Sequence, residues 1–478
     1  MRRFLLLITL FITLLLSVQA SVEVAVDSNQ NTGGKKFKTF FSLKPSDTIR
    51  SLSKITTSQD AVTPKTKKWG LEFGGFVSVD LFWDNRKMVG ARDEAICLYP
   101  FNVNPDVNGR DIHATPSFNI VAMNTRLTLR IQAPDALGAK ISGMVEGWFM
   151  GVTNADMNGF AMRHAFLKMD WKSTSLLFGQ TWHPLFTEKC FAYTVAGTAG
   201  APFQPFSRAP QIRLNQKFAK YSNVLFYINA QRDNLSWGKP SPSPEYLRNS
   251  ALPEVGLQYI FDYKKYEEEK CKHELYIGLG GGYKHLIPRL TTAGNVYTKQ
   301  GVNSAMLTLF GHYKQHISPE VAYGIKVKAA LSQAGSEYLT LGGYAVRQYD
   351  DGRLNDSVNY KYTPLNVVSS WIDIYANIRS WEVALFAGYC QNLGSLQPIQ
   401  DYRNTNSYVA RGADIHYLYR VSARVKYNAN KLQFGLEPEY TAVQYGSEMT
   451  NYGVPKNADP NAKLVHGIRV LFTTTLFF

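Results

Sequence analysis

The chain has 478 residues, 45% of them hydrophobic and 13% aromatic, and a formal charge of +15. Beyond the first residues no run approaches the roughly eighteen apolar positions that a membrane-crossing helix needs, and no nucleic-acid motif accompanies the positive charge. Its 28 Tyr and 27 Phe suit strands and membrane interfaces, which leaves a large soluble β protein or a membrane β-barrel and points the basic charge at anionic solutes or lipid head groups.

The opening "MRRFLLLITLFITLLLSVQA" sets Arg2 and Arg3 before a short apolar run and a small-residue end. That is the layout of a secretory signal peptide, 1–20, and the run is too short to cross a bilayer as a helix. The expectation is an exported chain, still basic without those two arginines. Residues 21–68 are polar and basic and read as a flexible N-terminal segment on the periplasmic side; a plug or a peptidoglycan contact is the alternative. Residues 69–478 then form one unit.

The run "WGLEFGGFVSVDLFW" at 69–83 alternates. Leu71, Phe73, Val77, Val79, Leu81 and Trp83 share one face, and Glu72, Ser78 and Asp80 the other, as period-2 strand geometry requires. It is longer than most soluble strands and carries Trp at both ends of its apolar face, the pattern of an aromatic girdle. Similar runs follow, among them "NTRLTLRIQ", "RHAFLKMDW", "SLLFGQTW" and "QIRLNQKF", down to the terminal "KLVHGIRVLFTTTLFF". The tally is about sixteen, with long connections after the odd-numbered runs and mostly short ones ("APDALG", "KST", "AKYS", "HISP", "RS", "NANK") after the even-numbered, the rule of outer-membrane barrels. The exception is "KKYEEEKCKH", read as a longer periplasmic turn that holds Cys271. Pro438 falls inside a strand-like run and predicts a bulge or an early strand end. The fold expected is all-β: a transmembrane antiparallel β-barrel with long extracellular loops and short periplasmic turns, in the outer membrane of a Gram-negative bacterium and in contact with its lipid.

With the apolar parity turned to lipid, the other parity lines the lumen. It carries Arg126, Arg130, Lys168, Arg213, Lys326, Lys328, Arg420, Arg424, Lys426 and Arg469. A charge facing lipid near mid-bilayer costs roughly 2–4 kcal/mol, so the lumen is the cheaper place. Basic side chains in a narrow aqueous pore raise the local anion concentration; a solvated wall of paired charges without selectivity is the plainer alternative. The third long connection, 183–210, carries Glu188, Lys189 and Arg208; likeness to general porins, whose third loop folds inward, implies a constriction, and an ordinary external loop is the alternative. Cys97 and Cys190 both fall in outer loops, in an oxidising setting where a tether between them competes with free thiols. The spacing of the four cysteines fits no zinc motif, and no cofactor motif is found. "GLGGGY" at 278–283 lies in a strand-like run and is no phosphate loop.

"MRHAFLKMDW" at 162–171, "FGQTWHPLF" at 178–186 and "RAPQIRLNQ" at 208–216, together with a terminal Phe478, resemble the DcaP-like and phosphate-selective groups of trimeric sixteen-stranded porins. The match is most specific over 162–216. The resemblance implies a homotrimer, diffusion of small anions such as dicarboxylates or phosphate, and a barrel assembly machinery that reads Phe478. The chain departs from that family in its cysteines and in lacking a clear coiled-coil N-terminus. Two other classes stand beside the porin: an enzyme on the barrel wall, for which no nucleophile spacing speaks, and a non-conducting barrel acting through its long loops as a surface adhesin or anchor.

Overall fold

In the computed structural model the described residues are 69–478, except 196, 268–269, 293–294, 349–360 and 459–461. The expected signal peptide and the 21–68 segment lie outside them.

Alternation becomes a closed sheet. The barrel strands are β1 (Gly70–Asp84), β2 (Ser117–Val121 and Arg126–Gln132, one interrupted strand), β3 (Lys140–Trp148), β4 (Ala161–Asp170), β5 (Thr174–Trp182), β6 (Arg208–Ala219), β7 (Ser222–Asn229) and β8 (Glu254–Glu267). They continue with β9 (Lys270–Leu286), β10 (Val302–Ser318), β11 (Val321–Gln333), β12 (Lys361–Ile378), β13 (Trp381–Ser395), β14 (Ile415–Ala429), β15 (Leu432–Tyr445) and β16 (Val465–Phe477). Each pairs antiparallel with its neighbours in sequence, and β1 closes the ring against β16, from Phe76↔Phe477 to Asp84↔Arg469. The result is a closed 16-strand antiparallel barrel. Closure leaves no edge, so each strand has a neighbour on both sides for its backbone groups.

Burial runs opposite to that of a soluble protein. Val421 is 49% and Ile468 41% exposed, while their strand neighbours Arg420 and Arg469 are each 1% exposed. Apolar side chains outside and charged ones inside mark a barrel whose solvent is lipid. Leu71, Phe73, Val77 and Trp83 are exposed on the outer face of β1, and Asp80 and Asp84 are buried on its inner face. Short turns (133–139, 171–173, 220–221, 319–320, 379–380, 430–431) end the strands on one side. On the other side run the described parts of outer loops 1 (85–116), 2 (149–160), 3 (183–207), 4 (230–253), 5 (287–301), 6 (334–348), 7 (396–414) and 8 (446–464).

Three expectations change. The "KKYEEEKCKH" stretch is not a long turn: β8 and β9 run through it, and Cys271 lies on β9. Pro438 neither bulges nor ends β15. It pairs with Val470 on one side, and towards β14 the ladder skips from Ser422↔Glu439 to Val425↔Leu436 without a register shift, so the missing N–H costs rungs and not register. Loops 1 and 6 contain short strands that alternation did not reveal: Met88–Ala91 pairs with Ile96–Pro100, and Gly342–Arg347 pairs with Tyr408–Arg411 of loop 7.

The seam is closed by the last residue. Phe478 and Gly75 exchange both backbone hydrogen bonds at 3.2 Å, and the Phe478 ring lies 6.0 Å from Phe73. Gly75 has a φ of 154° and a Cβ there would stand 2.1 Å from the Arg126 carbonyl oxygen. Gly75→Ala should therefore strain the β1–β2 junction by about 1–3 kcal/mol; the expected reading is a lower temperature for loss of the folded, fast-migrating band in unheated gels.

Candidate functional site: the lumen and its loops

Loop 3 turns into the barrel at His183. The imidazole Nδ1 accepts from the Leu185 N–H at 3.2 Å and caps a short 3-10 turn, Pro184–Phe186. Thr187 leaves that turn in the left-handed region. The apolar side chains that follow have no lipid to face and pack inward. Leu185, Phe186, Ala201 and Phe203 are fully buried, together with Leu98 of loop 1 and Leu341 of loop 6. Trp182 and Phe186 stack at 4.0 Å and Phe203 meets Phe386 of the wall at 6.0 Å. The barrel thus holds a hydrophobic core inside its lumen.

A loop inside a barrel has no ladder to join, yet its carbonyls must be satisfied. The basic wall does this. Lys326 donates to the Phe191 carbonyl at 3.1 Å, Lys328 to Leu185 at 3.3 Å and Phe186 at 2.5 Å, and Lys426 to Tyr193 at 2.7 Å. Arg213 donates to the Trp182 carbonyl at 2.7 Å. Arg420 reaches Ala201 at 3.2 Å in loop 3 and Leu98 at 2.9 Å in loop 1. From the acidic side, Glu437 accepts the Val195 N–H at 2.6 Å.

Of the other five basic residues expected in the pore, four are paired with carboxylates, and Arg126 donates to Asn124 Oδ1 at 3.2 Å. Arg424 forms a fork on Asp373 at 2.6 and 3.0 Å and also reaches Glu382. Arg469 holds Asp84 at 2.7 Å, Lys168 holds Asp170 at 2.8 Å, and Arg130 meets Glu72 at 3.4 Å. All ten stand on the inner parity as alternation required, but most are spent on carbonyls and carboxylates. Of the loop residues, Lys189 pairs with Asp262 at 2.5 Å. Burial pushes the Glu188 carboxyl up, and Arg213 and Lys168 pull against it. Arg208 binds Asp233 of loop 4 through Nε at 3.0 Å and Nη2 at 3.1 Å.

Arg208 belongs to a cluster at the outer ends of β3 to β6. Arg163 lies 4.2 Å and Arg208 4.3 Å from the Trp148 ring, with Arg126 at 5.8 Å and Arg92 of loop 1 at 5.9 Å. Arg163 also rests over Trp182 at 5.6 Å. The carboxylates in direct contact are Glu146, on Arg163 at 2.7 Å, and Asp233, on Arg92 at 3.2 Å and Arg208 at 2.9 Å. Strict alternation places Arg163 on the lipid face beside an inward His164. A register shift (Glu146↔His164, then Gly147↔Met162) makes Arg163 an extra residue, and the bulge turns it inward. Arg92 escaped the sequence reading because a loop has no parity.

The proposed tether does not form. Cys97, Cys190, Cys271 and Cys390 are all free thiols. Cys97 sits beside Arg420, whereas Cys190 donates to the Gly311 and Val327 carbonyls on β10 and β11. Burial pushes the Cys97 thiol up to about 11 and raises that of Cys190, which keeps both protonated and unreactive. A further network escaped the sequence: His183 Nε2 lies 2.9 Å from Glu254, which also accepts the Tyr338 hydroxyl at 2.9 Å, tying the root of loop 3 to loop 6.

Two outcomes test this arrangement. Arg420→Met strips buried carbonyls of their donor and leaves Glu439, 3.9 Å from Arg420, without its cation; unfolding in urea should show a loss of about 3–5 kcal/mol. The exposed Arg379–Glu320 pair should tolerate Arg379→Met without a measurable change. The second concerns pH. Burial would raise the Asp233 carboxyl, but Arg208 and Arg92 outweigh it and its pKa is lowered. A depressed carboxylate adds stability above its unfolded value and loses it as pH falls through the folded one. Loop 4 should resist pepsin down to about pH 4, near the unfolded Asp value, and yield only below.

No protein-family description matches the chain, and no curated protein sequence does. Among solved structures, the outer membrane channel DcaP of Acinetobacter baumannii superposes with a TM-score of 0.57 at 13% identity, over 87% of this chain and 100% of that one. OmpT of Vibrio cholerae (0.47, 11% identity, 87% and 99% covered) and an anion-selective porin from Comamonas acidovorans (0.46, 10% identity, 86% and 100% covered) align less closely, too loosely to add weight. What the chain shares with DcaP is its fold, that of an outer-membrane channel barrel.

Proposed function

We propose that this chain is an outer-membrane porin, not an enzyme, for passive diffusion of small hydrophilic and preferentially anionic solutes, dicarboxylates or phosphate-like ions, with loop 3 as its constriction. The observation that carries the reading is the cluster around Trp148: among the described residues, Arg92, Arg126, Arg163 and Arg208 have only Glu146 and Asp233 as carboxylates in direct contact. Guanidinium outnumbers carboxylate there. The Arg208 Nη1 and Arg126 Nε atoms are buried without a hydrogen-bond partner among the described residues. Planar donors in surplus match the two oxygens of a carboxylate or phosphate. The rest of the basic wall supports the reading indirectly, by holding loop 3 across the lumen. The homotrimer and the reading of Phe478 by the assembly machinery belong to the same proposal through the resemblance of 162–216.

A second reading has its own support. The apolar packing of Leu185, Phe186 and Phe203 against the wall suits a closed barrel that acts through its long loops as an adhesin or anchor. Planar-bilayer recording under a salt gradient separates the two. The expected result is conductance with a reversal potential favouring chloride, and a preference that falls by about twofold or more in Arg126→Gln. Conductance without preference defeats the anion reading, and silent bilayers favour the closed barrel.

A further inference from the structure

The hairpin of β8 and β9 overhangs the periplasmic rim. Ser222, the first residue of β7, pairs with Phe261, yet β8 continues to Glu267. On this overhang the ladder shifts: Lys265 faces His273, but Tyr266 faces Cys271, so Lys272 is an extra residue. An inserted residue reverses the parity beyond it. Cys271, which strict alternation sets beside His273, turns instead to the inner face of Glu274. His316 of β10 arrives at the same place, since Lys314 pairs with Glu274 and Gln315 with His273. Its Nε2 lies 2.8 Å from Glu274 Oε1, with the two side chains 21% and 29% exposed. The Cys271 thiol, a Glu274 carboxylate oxygen and a His316 ring nitrogen all lie within 4.8 Å of one another.

We propose that Cys271, Glu274 and His316 form a binding site for a thiophilic divalent cation of the zinc type at the periplasmic mouth of the barrel. Sulfur, nitrogen and oxygen donors at this separation suit a tetrahedral ion whose fourth position is left to water. The thiolate disfavours magnesium and calcium, which take oxygen donors. Lys264 holds Glu274 Oε2 at 3.0 Å, which leaves Oε1 pointing at the ion and fixes the carboxylate as outer partners of metal ligands do. Binding releases the thiol proton to solvent and breaks the hydrogen bond from His316 Nε2 to Glu274 Oε1; the Nε2 proton moves through solvent to Nδ1, which frees Nε2 and Oε1 for the ion. The same ligand set is invisible to motif spacing because its third member comes from another strand. The rival is an ion-pair cluster of Glu274 with Lys264 and His316 that holds no metal.

The test uses the full chain, purified in detergent with its thiols reduced. Zinc is titrated against a chromogenic chelator, and cobalt(II) replaces it to give a thiolate charge-transfer absorption. The expected result is one zinc per chain and a cobalt–thiolate band, both lost in Cys271→Ser, weakened roughly tenfold or more in His316→Ala and unchanged in Cys390→Ser. Calcium should not compete. Should a variant fail to fold, the unaltered chain still answers: Cys97, Cys190 and Cys390 are buried, so zinc should slow maleimide labelling of Cys271. No tight zinc, zinc retained by Cys271→Ser, or labelling that zinc leaves unchanged would overturn the site.

Discussion

The structure depends on one constraint: in lipid, every backbone N–H and C=O must find a partner inside the protein. The pairing of Phe76 through Asp84 with Phe477 through Arg469 meets it for the wall by joining the first strand to the last. Everything else follows from how the chain meets the same demand where the sheet cannot. Loop 3, folded into the lumen, is buried by its neighbours as a strand is, but it has no ladder to lie beside. Lysines and arginines of the wall become its neighbours.

This gives the basic composition of the inner wall a structural meaning before any electrical one. Lys326, Lys328, Lys426 and Arg420 each end on a loop carbonyl, and Arg424 and Arg469 end on buried carboxylates. A buried cation left single is costly, so each of these contacts is as much a requirement of the cation as of the loop. Charge that is committed in this way contributes less to a pore's field than a count of residues suggests. The cluster at Trp148 differs because guanidinium there exceeds the carboxylate beside it.

The barrel was legible in the sequence because period 2 is a strong code: Leu71, Val77 and Trp83 against Asp80, or Ile468 and Val470 against Arg469, sort into lipid and lumen without any knowledge of partners. The code fails where a strand gains a residue. Strict alternation would put both Arg163 and Cys271 on the wrong face, and both stand at register shifts that leave no mark in one sequence. It is also silent about loops, so Arg92, Asp233 and the His183–Glu254–Tyr338 network could not be read. The expected link between Cys97 and Cys190 rested on both lying outside, and topology alone did not say that they end on different parts of the wall. Pro lacks a donor and so predicts a break at Pro438, but the sheet gives up rungs on one flank and keeps its register.

The anchoring of loop 3 through its carbonyls has an evolutionary consequence. A main-chain oxygen is present whatever side chain the residue carries, so the hydrogen bonds from Lys326 to Phe191 and from Lys426 to Tyr193 do not depend on which side chains those half-buried residues carry. The wall fixes the path of the loop, while the genetic record is free to rewrite its face. Such a division lets one scaffold try new linings at little risk to its assembly, provided the wall cations themselves stay unaltered.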